Sequence, residues 1–337
     1  MHIGTDIPLA PRTTFRIGGP ARYFCAGSDD DDIVRALAWA DERHLPVHVL
    51  GGGSNILVAD DGVSALVVSC SLARVWADGT GRVVADAACP WDTVVGYAVA
   101  HGLAGIECLS GIPGTAGAAP VQNIGAYGQQ VADVIESVDA IDRVSGRPLR
   151  LNAPECGFSY RSSIFNRALS DRYVITRIRL QLRPGGRSSY THPDLAPLPS
   201  DAPLSAVRAV VLDVRERKGM LRTPGRRGHA SAGSFFKNPL IHGAAPDGAP
   251  SWTMPDGMTK ISAAWLIEHA GMRKGTREGG ALISPDHALS IISDGTATAA
   301  HVVALASRIQ GAVRDAFGVL LEPEVLLWGF DEYPLVR

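Results

Sequence analysis

Hydrophobic and polar positions along the chain fall into runs of helical and of strand period. Residues 29–45, DDDDIVRALAWADERHL, open on acids suited to a helix N-terminus. Ile33, Leu37 and Ala40 then recur at helical spacing, which predicts an amphipathic helix. PVHVL at 46–50, ILVAD from 56 and SALVVSC from 64 flank the glycine loop GGGSN, predicting strand, loop, strand and strand. RVVADAA at 82–88 predicts another strand, and PWDTVVGYAVAHG a helix that Pro90 opens and Gly102 ends. VIESVDAIDRVSGRPLRL alternates and turns at Ser145-Gly146, and YVITRIRLQLR at 173–183 alternates again. Residues 185–203 are rich in Pro, Ser and Gly and are expected to form a lid or linker before a helix over 203–218. ISAAWLIEHAG at 261–271 predicts a helix with Ser262 as its cap, followed by strands around ALISP and ALSII. A long helix is predicted over 296–317, closed by Gly318. The apolar tail LLEPEVLLWG is expected to be extended and to return to an earlier sheet.

One stretch obeys neither period. SGIPGTAGAAPVQNIGAYG, residues 110–128, is glycine-rich and almost without charge, and Pro113 and Pro120 remove donors and fix direction. It predicts a shaped loop, either a ligand cradle or an idle surface connection.

Composition narrows the class. With 337 residues and 46% hydrophobic content the chain has material for two or three globular domains. Its 32 basic and 34 acidic residues leave a net charge of −2 and no electrostatic footprint for nucleic acid. The cysteines, Cys25, Cys70, Cys89, Cys108 and Cys156, are widely spaced and form no CxxC, which argues against a disulfide framework and against a metal site. A reducing cytoplasm fits that usage. The N-terminal region has no signal-peptide core and no stretch reaches the ~20 apolar residues of a membrane span, so a soluble protein without membrane insertion is expected.

Several short segments carry candidate chemistry. VLGGGSN exposes consecutive backbone N–H groups and reads equally as a structural turn or as a pyrophosphate loop, although neither GxGxxG nor GxxxxGK[ST] occurs. FSYRSSIFN sets Arg161 among aromatic and hydroxyl residues. Its planar fork suits a carboxylate or phosphate, and a solvated surface arginine is the alternative. ASAGSFFKNP places Ser234 on a small-residue turn before two phenylalanines, as a turn serine or as a proton donor in a dry site; with no GxSxG it is not a hydrolase elbow. LEPEV puts Glu322 and Glu324 on one side of an extended segment among apolar residues, where a carboxylate is costly unless used; a solvated edge charge is the alternative for one of the two. Tyr127, Tyr190 and Lys218 are further candidate ligand contacts.

In order and spacing, TTFRIGGPARYF, LGGGSNILV, GIPGTAGAAPVQNIGAYG, CGFSYRSSIF, AGSFFKNP and LEPEV together resemble the UDP-N-acetylenolpyruvoylglucosamine reductase family. The resemblance runs from about residue 13 to residue 329. It implies an α+β fold: a two-part FAD-binding unit of the vanillyl-alcohol oxidase type plus a smaller α+β substrate-binding domain. The domains expected are 1–70 with 319–337, 71–220, and 221–318. It implies noncovalent FAD held by Gly51, Gly52, Gly53, Ser54 and Asn55 at the pyrophosphate. Ile112, Pro113, Gly114, Thr115, Gly117, Gln122, Asn123, Gly125, Ala126 and Tyr127 would pack around the remainder. NADPH is implied as co-substrate and UDP-N-acetylglucosamine enolpyruvate as substrate, with hydride passing from NADPH to flavin N5 and on to the enolpyruvyl carbon. Arg161 then matches the arginine that holds the substrate carboxylate, Ser234 the proton donor and Glu324 the catalytic glutamate. Lys218, Asn238 and Tyr190 match substrate contacts, Tyr190 lying on a loop that one branch of the family closes over the UDP group. His287 stands where some members have glutamine, and GMLRTPGRRGHASAG replaces a shorter connection after Lys218. A monomer is expected. An FAD-dependent alcohol or sugar oxidase of the same fold and a nonenzymatic nucleotide-sugar binder are the competing readings.

Overall fold

The computed structural model describes residues 1–167, 169–188, 190, 192–221, 229–254 and 256–336. The fold is α+β and is built of two compact units. Unit 1 comprises Met1–Ile7, Ala21–Gly52 and Ser64–Arg227; unit 2 comprises Pro8–Pro20, Gly53–Val63 and Gly228–Arg337.

Among the described residues unit 1 contains two larger sheets and two two-stranded ones, Gly125–Ala126 with Gln129–Gln130 and Leu103–Ala104 with Arg183–Pro184. The first is four-stranded, ordered Gly4–Pro8, Pro20–Gly27, Val63–Cys70 and Val47–Val49, with the last two strands parallel. Helix α1 (Asp30–Asp41) covers it, burying Ile33, Ala36, Leu37 and Ala40 with Val47, Leu66 and Val68. The Asp29 side chain accepts the Asp32 N–H at 2.7 Å, so the acidic run supplies the helix cap the sequence predicted. The second sheet is antiparallel and five-stranded, ordered Pro148–Asn152, Ile135–Asp142, Tyr173–Gln181, Arg82–Asp86 and Val75–Ala77. One side of it packs on α2 (Trp91–Ala100) through Val83, Ala85, Ile178 and Leu180 against Val94, Val95 and Ala98. Charged side chains of its strands form a ladder of ion pairs instead: Asp86 meets Arg74 at 2.7 Å and Arg177 at 3.1 Å, and Asp139 meets Arg179 at 2.6 Å and Arg150 at 2.8 Å. Helix α3 (Leu204–Arg217) buries Val207, Val211 and Val214 in a satellite core with Tyr127 and Leu195.

Unit 2 is assembled from distant stretches. Ile56–Val58 pairs in parallel with Leu326–Trp328, the return of the C-terminal tail that its apolar pattern predicted. Helix α4 (Ala263–His269) is capped by the Ser262 side chain. Helix α5 (Ala299–Phe317) buries Val302, Leu305, Ala306, Ile309 and Val313 against Leu266, Ile267, Ile283 and Ile291. Two carboxylate bonds hold its first turn, because Asp60 accepts the Ala299 and Ala300 N–H groups at 2.8 and 3.1 Å. Among the described residues no helix is long and apolar enough to cross a membrane.

Candidate active site

In unit 1 the first glycines of GGGSN meet the 110–128 loop. A Cβ on Gly52 would stand 2.8 Å from the Gly114 Cα, so glycine is what lets the two backbones touch. The longer loop is fixed by backbone bonds: Trp91 N–H to Gly114 O at 3.0 Å, Ala116 N–H to Cys89 O at 2.8 Å, and Gly117 N–H to Ala87 O at 3.0 Å. Its Ala116, Ala119 and Ile124 are part of the hydrophobic core, which explains why the segment is small and apolar. Ile112, Pro113, Gln122, Gly125 and Ala126 are half-buried along it. The N–H groups of Gly51, Gly52, Gly114 and Thr115 donate to no acceptor among the described residues. Open backbone amides gathered by contacting glycine loops fit the pyrophosphate of a dinucleotide such as FAD.

Asn123, 2% exposed, pins the end of this loop. Its amide donates to Gln130 Oε1 and to the Ser159 carbonyl, both at 3.1 Å, and its oxygen accepts the Ala132 N–H at 3.0 Å. Arg161 sits in a tight turn in which Ser159 and Ser162 exchange backbone bonds of 2.9 and 3.2 Å. Its Nη2 donates to the Gly125 carbonyl at 2.9 Å, which joins the candidate arginine directly to the loop. Asn123, Tyr127 and Arg161 all hold left-handed backbone, with φ of 45°, 52° and 50°. Conformations this costly for side-chain-bearing residues concentrate at functional sites.

A second group in unit 1 surrounds Tyr127. Its phenol shares a hydrogen bond with Arg215 of α3; burial pushes the phenol up and the guanidinium down from their ordinary values, and their mutual contact opposes both shifts. Arg215 Nε also donates to the Gly111 carbonyl at 3.1 Å, and Asp92 accepts the Gly111 N–H at 2.7 Å. Arg208 grips Asp92 with both nitrogens, at 2.6 and 2.7 Å. Lys218 ends α3, its ammonium 5.9 Å from the centre of the Tyr127 ring. Tyr190 is bonded within its own segment, its hydroxyl donating to the Pro199 carbonyl at 2.6 Å. Arg215, Asp92 and Asp194 had no place among the sequence candidates. For Arg215 the available signal was its spacing from Lys218, one helical turn along the same face.

In unit 2 backbone pairing sets Glu324 across from Phe235, the residue that follows Ser234. Phe235 N–H donates to the Leu289 carbonyl at 2.8 Å, Glu324 N–H to the Phe235 carbonyl at 2.8 Å, and Lys237 N–H to the Glu322 carbonyl at 2.9 Å. Phe235 and Phe236 are each 1% exposed and form the apolar wall beside the half-buried Ser234. The two acids of LEPEV separate by environment. Glu322 is exposed and paired with Lys237 at 2.6 Å, whereas Glu324 is half-buried. The Asn55 amide donates to the Glu324 carbonyl at 2.9 Å, and the Asn55 carbonyl accepts the Leu326 N–H at 2.9 Å. Gly53, with φ of 60°, has the Arg12 carbonyl where a Cβ would stand, at 2.2 Å, and its own carbonyl accepts the Thr14 N–H at 2.9 Å. The Thr14 hydroxyl reaches on to the Ser231 carbonyl at 2.6 Å, so TTFRIGG braces the strand leading to Ser234. Asn238 is set at the start of α4, where its oxygen accepts the Ala263 N–H at 2.9 Å. His287 lies in the 284–290 turn, which its carbonyl helps close by accepting the Ser290 N–H at 3.0 Å. His229 and Asp286 pair nearby at 2.7 Å. Residues 222–228 of the unusual connection after Lys218 lie outside the described residues.

The chain as a whole is similar to known proteins. Residues 20–152 match the FAD binding domain, and residues 225–328 match the C-terminal domain of UDP-N-acetylenolpyruvoylglucosamine reductase. The class is therefore that of FAD-binding oxidoreductases. The UDP-N-acetylenolpyruvoylglucosamine reductase of Streptomyces avermitilis is 40% identical over 97% of this chain and 95% of its own. That of Nocardia farcinica is 42% identical over 96% of this chain and 89% of its own. The crystal structure of the Thermus caldophilus reductase superposes with a TM-score of 0.71 at 29% identity, covering 98% of this chain and 100% of that one. The chain belongs to the UDP-N-acetylenolpyruvoylglucosamine reductase family.

Proposed function

We propose that the chain reduces UDP-N-acetylglucosamine enolpyruvate to UDP-N-acetylmuramate with NADPH, as a noncovalent FAD enzyme of peptidoglycan precursor synthesis in the cytoplasm. Bound FAD would supply the hydride carrier between NADPH and the enolpyruvyl double bond. The residues that would hold it are Gly51–Asn55 at the pyrophosphate, with Ile112–Thr115, Gly117, Gln122, Asn123 and Gly125–Tyr127 around the remainder. The four open amides of Gly51, Gly52, Gly114 and Thr115 support that assignment.

Arg161 binds the substrate carboxylate and stabilises the negative charge that grows on it as hydride arrives. Ser234 supplies the proton that quenches the adjacent carbon, and Glu324 polarises the enolpyruvyl group or relays that proton. A serine hydroxyl alone is a very poor acid, so it needs such a partner. Lys218 and Tyr190 contact the nucleotide, Asn238 the carboxylate region, and His287 a phosphate or the nicotinamide. The observation that supports the reading is the Glu324 N–H to Phe235 carbonyl bond of 2.8 Å, which sets the proposed glutamate across from the residue that follows Ser234.

The test is anaerobic. NADPH should bleach the flavin absorbance, and the enolpyruvyl substrate should restore it. Ser234→Ala should leave the bleaching intact and slow the recovery by roughly 10²–10⁴-fold, the usual share of a positioned general acid. An unaltered recovery rate removes Ser234 from the mechanism. Flavin reoxidised by oxygen alone supports the oxidase reading instead.

A further inference from the structure

Lys218 already has an anion. Its Nζ stands 2.7 Å from Asp194 Oδ2, and the side chains are 36% and 33% exposed. Among the described residues Asp194 is its one acidic partner. The carboxylate reaches it because the turn Pro193–Leu195 is seated on α3: Leu195 is fully buried in the cluster with Val207, Val211 and Val214. The base of the same segment is pinned elsewhere. Ser188 donates to Glu107, a fully buried carboxylate that also accepts the Gly105 N–H and the Gln129 amide, each at 2.7 Å. The segment is thus anchored at its root by Ser188, and among the described residues its turn is held by the Lys218–Asp194 pair, the buried Leu195 and the edge-on contact of His192 with the Tyr127 ring.

We infer that Asp194 is an internal stand-in for substrate phosphate, occupying the Lys218 ammonium until a diphosphate-bearing ligand displaces it. The inference rests on the assignment of Lys218 to the nucleotide. A carboxylate and a phosphate offer a lysine the same charge-assisted acceptor, so the two compete for one position. A third of each side chain faces solvent, so the resident pair is weak enough to exchange. Ligands without the diphosphate cannot make the exchange and leave the turn in place, so Asp194 contributes to specificity by exclusion.

The experiment titrates UDP into the flavin-loaded full chain by calorimetry. Asp194→Asn keeps the shape and removes the competing charge; it should bind UDP about two- to five-fold more tightly, the value of an exposed ion pair. Lys218→Met should weaken UDP binding, and adding Asp194→Asn to it should then change nothing. Equal affinity of wild type and Asp194→Asn alongside a weakened Lys218→Met overturns the stand-in while leaving Lys218 on the nucleotide. Unchanged affinity in Lys218→Met overturns the Lys218 assignment and the stand-in with it. As a second readout, UDP should speed exchange of the Leu195 and Ala196 amides, which donate to His192 and Pro193 at 2.9 and 3.1 Å. Unchanged exchange in the presence of saturating UDP also overturns it.

Discussion

Arg161 bears two demands at once: a left-handed φ of 50° and a guanidinium committed on one side to the Gly125 carbonyl. A glycine would relieve the first and forfeit the second, so the strain is stored where a fork is needed. Arg161→Lys keeps the charge but cannot span the carbonyl and a substrate carboxylate together. It should lower kcat/KM by about 10- to 100-fold, the range of one hydrogen bond to a charged group. Steady-state kinetics on flavin-saturated enzyme check this, and near-normal turnover would refute the bidentate role. Residue chemistry of this kind was partly legible in the sequence. FSYRSSIFN and AGSFFKNP mark out an arginine and a serine as candidates beside blander alternatives, only the family resemblance gives them roles, and the structure adds the reason Glu322 and Glu324 differ, which no local pattern contains. Arg215 and Asp194 escaped because their meaning comes from Tyr127 and Lys218, which lie near them in space.

At the scale of elements, what the sequence made clear is what local pattern determines. Helices α1, α4 and α5 follow from their caps and apolar stripes, and the Ile135–Asp142 and Pro148–Asn152 hairpin from alternation and Ser145-Gly146. The strands Gly4–Pro8 and Val75–Ala77 were not predicted: they are short and mostly exposed or half-exposed, so neither carries a burial pattern. Helix α5 depends on a residue far from it. Asp60 closes its first turn together with the Thr298 cap, which accepts the His301 N–H at 3.2 Å. Removing a carboxylate from two helix N–H groups should cost about 0.5–2 kcal/mol. Urea unfolding of Asp60→Ala should show that loss with an unchanged m-value; a midpoint equal to wild type would mean that water replaces the carboxylate without penalty.

For the molecule as a whole, the ion-pair ladder of unit 1 ties stability to acidity. Burial alone would raise the Asp86 carboxyl, but hydrogen bonds from Arg74 and Arg177 outweigh it and hold the group below its ordinary value. Asp139 is held low in the same way by Arg179 and Arg150 against burial. A folded-state pKa below the unfolded one adds stability above the ordinary carboxylate value near ~4, and that stability is lost as pH falls through the folded value. Thermal melting between about pH 5 and pH 3 should therefore drop steeply in the wild type and less steeply in Asp86→Asn; parallel curves would exclude Asp86 from acid unfolding.

The parallel pairing of Ile56–Val58 with Leu326–Trp328 also sets a schedule for synthesis. A ribosome working at about 5–20 residues per second reaches the second strand long after the first has emerged. Through that interval the nascent chain carries an apolar strand whose partner has not been made, and unit 2 cannot be completed until Leu326–Trp328 has been translated. Unit 1 contains no segment beyond residue 227 and is free to fold first. The newborn protein therefore passes through a half-built stage in which the proposed proton donor and its glutamate have not yet met, and in which chaperones have their longest opportunity to bind it.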